Sequence, residues 1–146
     1  MTLKQTKQRG FTIVELLIVV VIIAILAAIT IVAYNGIQNR AKASSAQSLA
    51  NTIVKKAEAF NAVESSYPAS NTGFGTGAGT AGNPAEAKLD NASQVTGTVP
   101  TDEKTVSYKK CATGAQVIYF DASKNTAVGI GIGGAASTAT GATLCT

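Results

Sequence analysis

From Phe11 to Tyr34 the chain is apolar for 24 residues, and Glu15 is the one charged side chain within that stretch. Beyond it the pattern turns amphipathic. Ile37, Ala41, Leu49, Ile53, Ala57 and Phe60 recur at spacings that share one helical face, with Ala46, Ala50 and Val54 beside them. Arg40, Lys42, Lys55, Lys56 and Glu58 are the polar company of that face. The two patterns predict one helix from about residue 12 to 63, roughly 80 Å long at 1.5 Å per residue. Its apolar first half, roughly 36 Å, is long enough to cross a bilayer with some tilt. Asn35-Gly36 predicts a break or kink between the halves, and Tyr67-Pro68 sets the far limit.

The remainder is too polar and glycine-rich to supply another membrane element. Residues 69–83 form a run of turn-formers, read as a loop and not as a helix. They are not a phosphate cradle either, because the lysine and Ser/Thr that complete one do not follow the glycines. Residues 104–111, 115–121 and 126–132 read as strands, with 121–125 turning between the last two. A lone hairpin is only marginally stable, so a small antiparallel sheet laid on the amphipathic half of the helix is the natural core. The expected class is α+β. The expected division is a leader over 1–10, an apolar helix over 11–34, an amphipathic helix over 35–63 and a globular head over 64–146.

Charge at the flank gives direction to the apolar helix. Lys4, Lys7 and Arg9 precede it and no acid does, so this end is expected to stay cytoplasmic while the rest is exported. A secretory signal has an apolar core of about 7–15 residues before its cleavage site. This core is longer, although Ala41-Lys42-Ala43 offers a small-residue pattern beyond it. An ionised group inside such a segment is unfavourable and calls for a partner.

Lys7-Gln8-Arg9-Gly10 followed by Phe11-Thr12-Ile13-Val14-Glu15-Leu16-Leu17-Ile18-Val19-Val20 resembles the prepilin leader and N-terminal segment of type IV pilins. The likeness is close over residues 7–31 and only architectural beyond about residue 60. It implies that a membrane peptidase cuts between Gly10 and Phe11, that Phe11 becomes N-methylated, and that Glu15 is the fifth residue of the mature chain. Cutting creates an ammonium at Phe11. A neighbouring subunit shifted along the axis would bring its Phe11 amine beside Glu15, so that two buried charges compensate each other and favour one register. The other reading of Glu15 is a carboxylate at the membrane edge reaching toward cytoplasmic water. The resemblance further implies an assembly ATPase and an inner-membrane platform as partners and a final place in an extracellular filament; no cofactor is expected. Many pilins carry a glycine and a proline within this helix. Ala24 and Val32 stand there instead, and glycine and proline weaken a helix interior by about 1 and 3 kcal/mol, so a more continuous helix is expected. Thr30 is a mild exception, since its hydroxyl can bond back to the preceding turn.

Cys111 and Cys145, in a segment expected outside the cytoplasm, read as one disulfide tying the C-terminus back to the first strand. In the chain-entropy model that closure stabilises the head by roughly 3–4 kcal/mol. Pilins commonly have such a staple.

Other chemistry is poorly supported. The chain has 12 basic and 8 acidic side chains; without the three basic leader residues it keeps 9 basic ones, a net charge of +1. That balance does not predict nucleic-acid binding, although Lys104, Lys109, Lys110 and Lys124 would form a basic face if they gathered on the sheet. There is no histidine, and paired cysteines leave neither a thiol nucleophile nor a zinc set. Asp90, Asp102, Glu103 and Asp121 read as scattered loop acids, without the compact cluster a calcium site would need. Asn91-Ala92-Ser93 fits a glycan acceptor pattern. The expected function is a non-enzymatic structural subunit of a type IV pilus serving adhesion, motility or DNA uptake. The alternatives are a pseudopilin of a secretion or DNA-uptake machine and a monomeric single-pass anchor that displays a binding head.

Overall fold

The computed structural model describes residues 10–75, 84–137 and 145. The chain divides into two compact units, residues 1–37 and 38–146. Helix α1 (Ile13–Glu64) covers 52 residues. It ends where Ser65 takes a left-handed φ of 53° and donates its N–H to the Asn61 carbonyl at 2.8 Å, a common helix terminus. Tyr67-Pro68 follows, as expected.

The break expected at Asn35-Gly36 does not occur, for both residues are helical. Glycine costs a helix interior about 1 kcal/mol but keeps its N–H, so a single one within a 52-residue helix is tolerated. A Cβ at Gly36 would meet nothing within 4 Å. Gly36→Ala should therefore stabilise the helix locally by about 1 kcal/mol, read as slower amide exchange over residues 33–40 in detergent. Unchanged or faster exchange would contradict this. Thr30 bonds back as expected, its hydroxyl donating to the Ala27 carbonyl at 2.9 Å.

In the first unit the apolar side chains are uncovered. Val21 is 47% exposed and Ile13 84%, and the large apolar side chains between them fall within that range. An apolar surface that large and contiguous marks a membrane or interaction surface. The segment is also long and apolar enough to cross a membrane.

The second unit holds the core. There α1 buries Ala46, Ala50, Ile53, Ala57 and Phe60, at alternating spacings of four and three. Leu49 and Val54 pack against this stripe half-buried. Ile37 and Ala41, expected on the same face, are exposed. Periodicity identifies a face but not the turn at which a partner first covers it. The three buried alanines share one core cluster with side chains of the sheet.

The sheet has the order β1-β2-β3-β4, with β1 (Val95–Thr96), β2 (Val106–Cys111), β3 (Gly114–Asp121) and β4 (Thr126–Ile132). β2–β3 and β3–β4 are antiparallel, in agreement with the three expected strands. β1 adds a short parallel pairing of Val95 with Val106 and Thr96 with Ser107, which makes the sheet mixed. Val106, Tyr108, Ala115, Val117, Tyr119 and Ile132 join the helix stripe in the core. The Tyr108 hydroxyl donates to the Pro68 carbonyl at 3.0 Å, and its ring meets Phe74 edge-on at 4.7 Å. Phe74 belongs to the 3-10 turn Asn71–Phe74, so the glycine-rich run read as loop carries one core anchor. Residues 76–83 of that run lie outside the described residues.

The other face of the sheet is covered as well, since Ser107, Gln116 and Ile118 are buried. The chain after β4 returns across this face. Gly131 donates its N–H to the Ser137 hydroxyl at 2.9 Å, and Gln116 Nε2 reaches the Ala136 carbonyl at 3.5 Å. A Cβ at Gly131 would stand 2.0 Å from the Ala135 carbonyl oxygen, which explains a glycine inside a strand. Gly133, with φ 62°, turns the chain where any Cβ would strike the Tyr67 ring at 2.3 Å.

Candidate functional site

The residues expected to be cut and to assemble lie at the start of α1. Gly10, Phe11 and Thr12 precede the helix in non-helical backbone, and the Phe11 side chain is 82% exposed. A Cβ built on Gly10 meets nothing within 4 Å. Nothing in the described fold requires glycine at this position, so a requirement for it would come from a partner that reads the chain. Lys4, Lys7 and Arg9 lie outside the described residues.

The helix begins at Ile13 because Thr12 caps it. The Thr12 N–H and hydroxyl both donate to Glu15 Oε2, at 2.9 and 2.7 Å. The Glu15 N–H in turn donates to Thr12 Oγ1 at 3.2 Å. This is a capping box, in which threonine and a glutamate three residues later satisfy each other's free backbone donors at a helix start. Its T-x-x-E signature stands in Thr12-Ile13-Val14-Glu15, but reading Glu15 only as a charge in an apolar run passes over it. Glu15 thus has a partner on its own chain, and both bonds from Thr12 fall on one of its two oxygens. The ion pair expected with another subunit's Phe11 would be a contact between two chains.

Cys111, at the end of β2, and Cys145 form a disulfide with Cα atoms 5.7 Å apart. Gln116 on β3 reinforces the tether, its Oε1 accepting the Cys145 N–H at 3.0 Å. The disulfide belongs to the second unit, whereas Gly10, Phe11 and Glu15 belong to the first.

The loop acids have structural employment. Asp102 Oδ1 accepts from the Thr105 hydroxyl and from the Lys104 and Thr105 N–H groups, which hold its carboxyl below the usual range. Asp121 accepts from the Ser123 hydroxyl and N–H and pairs with Lys124 at 3.5 Å; the Ser123 hydroxyl bond leads in keeping its carboxyl low. Glu103 lies 3.7 Å from Lys42. Among the described residues no three His, Cys, Asp or Glu side chains gather where a metal could sit. Lys109 and Lys110 are exposed on β2 and Lys104 on the preceding loop, while Lys124 is engaged with Asp121. Asn91 is exposed, and the Ser93 hydroxyl bonds to its side-chain oxygen.

The family described as the prokaryotic N-terminal methylation motif matches residues 5–31. The type IV major fimbrial protein FimA of Dichelobacter nodosus is 46% identical over 69 residues, which cover 47% of this chain and 43% of that protein. The fimbrial protein of Neisseria meningitidis is 36% identical over 75 residues, covering 51% of this chain and 44% of its own length. The chain thus spans less than half the length of either relative. Both are named as fimbrial proteins and not as enzymes. No solved structure matches the chain.

Proposed function

We propose that this chain, whose residues 5–31 match the prokaryotic N-terminal methylation motif and whose long helix precedes a small sheet, is a type IV pilin-like structural subunit that is cut after Gly10, methylated at Phe11 and polymerised through α1 into a surface filament. The observation that carries the reading is the methylation motif over residues 5–31 joined to an apolar helix whose side chains are uncovered. The prepilin waits in the membrane, held with its N-terminus cytoplasmic by Lys4, Lys7 and Arg9. A prepilin peptidase removes those three charges together with the first ten residues. An assembly ATPase and an inner-membrane platform then draw the chain out of the bilayer.

Elementary energetics support the order of events. In lipid there is little hydrophobic drive between helices, because acyl chains are as apolar as leucine. Moving Ile, Leu and Val side chains from lipid into a bundle of like helices is therefore close to neutral, and charge becomes decisive. The cut supplies an ammonium at Phe11 that Glu15 of a second copy can neutralise. Because the donor and the acceptor lie at different heights on the helix, the contact is heterologous and does not close, which yields an open fibre. Antibodies against residues 84–137 should decorate fibres extending from the cell. Label confined to the cell envelope would contradict a surface filament.

A further inference from the structure

Glu15 is asked to serve two partners, and its geometry at the helix start divides it between them. Thr12 places both of its bonds on Oε2, from its N–H at 2.9 Å and its hydroxyl at 2.7 Å. A carboxylate has two oxygens and about four acceptor positions. The cap therefore leaves Oε1 available. It also uses no leader group, since Thr12 and Glu15 both survive a cut after Gly10. The carboxylate is tied down at the start of a helix whose neighbouring side chains are exposed and apolar; Phe11 is 82% and Ile13 84% exposed.

Resting on the pilin reading above, we propose that Thr12 is the positioning residue of the assembly contact: it binds Glu15 Oε2 so that Oε1 is presented, in one rotamer, to the Phe11 ammonium of a second copy. The physical reason is preorganisation. A free glutamate side chain loses rotamer entropy when it pairs, and as a flexible chain in a membrane it can turn toward interfacial water instead. The cap removes that freedom before the second copy arrives. The hydroxyl matters twice over, donating to Oε2 and accepting the Glu15 N–H at 3.2 Å. A side chain of the same shape without a hydroxyl loses both bonds and keeps the packing.

Thr12→Val and Thr12→Ser separate these effects. In native cells, processing is read from the intact mass of the membrane-extracted chain, and assembly from the amount of the chain in the sheared surface fraction. Thr12→Val should be cut after Gly10 as the parent is, and should yield about tenfold less filament, the scale of one lost hydrogen bond to a charged group. Thr12→Ser should restore most of that yield. Added to Glu15→Gln, Thr12→Val should lower the yield no further, because the two changes disable one device. Parental yield from Thr12→Val, equal loss in the Val and Ser variants, or an additive loss in the double variant would overturn the assignment. So would failure of Thr12→Val to be cut, which would mean that the peptidase reads Thr12 directly. A parent chain that keeps its first ten residues would instead sink the pilin reading itself.

Discussion

Glu15→Ala should leave the head folded and the cut after Gly10 complete, yet reduce the chain recovered in the sheared surface fraction by about a hundredfold or more. Once Phe11 carries an ammonium, a filament core without Glu15 would bury that charge unpaired, and an unpaired buried charge is far worse than a paired one. In the membrane the same substitution removes an unfavourable carboxylate from an apolar segment. It therefore stabilises the waiting subunit while destabilising the assembled one. Glu15→Gln separates the two duties of the side chain. Glutamine can still complete a capping box with Thr12, but it offers no charge to the ammonium. If the charge governs assembly, Gln should be nearly as poor as Ala. Parental filament yield from Glu15→Gln would mean that the cap matters and the ion pair does not. Surface display insensitive to both variants would favour a monomeric anchored protein.

Replacing both Cys111 and Cys145 by serine should lower the stability of the head by about 4 kcal/mol. The disulfide closes a separation of 34 residues, and the chain-entropy model assigns about that value to such a loop. For a domain near 100 residues this corresponds to a fall in Tm of roughly 15–30 °C. The tether also keeps residues 135–137 against the outer face of the sheet, where Gln116 holds Ala136 on one side and the Cys145 N–H on the other. Its loss should expose Gln116 and Ile118, both buried in the intact head. The check is thermal unfolding of the detergent-solubilised full chain, followed by near-ultraviolet circular dichroism of its tyrosines. A Tm within a few degrees of the parent would mean that the head stands without its staple.

Much of this architecture was legible because its elements are long and strongly patterned. The helix is found over Ile13–Glu64 where the apolar and amphipathic runs placed it, and the last two strands fall within a residue of their expected starts. Their β-branched and aromatic runs are bounded by turn residues, and Asn125 takes the left-handed φ of 52° such a turn requires. Other features have no periodic signature. β1 is two residues long and exists only because β2 lies beside it. Phe74 sits among glycines, and only its contact with Tyr108 reveals it as core. Asn35-Gly36 shows the opposite failure, a strong local breaker overridden by the helix around it. At the N-terminus the register of Gly10, Phe11 and Glu15 at the head of one apolar run is what singled them out, and the matched motif spans all three. The use of Thr12 was written there too, in a capping signature that a charge-centred reading does not seek.

Whether this chain is a processed and assembled subunit can be read from the intact mass of the native protein in the sheared surface fraction. The expected species is a chain beginning at Phe11, carrying one added methyl group and lacking two hydrogens for the Cys111–Cys145 bond. A chain that retains Met1, or one that begins at Ser44 after the Ala41-Lys42-Ala43 pattern, would contradict it.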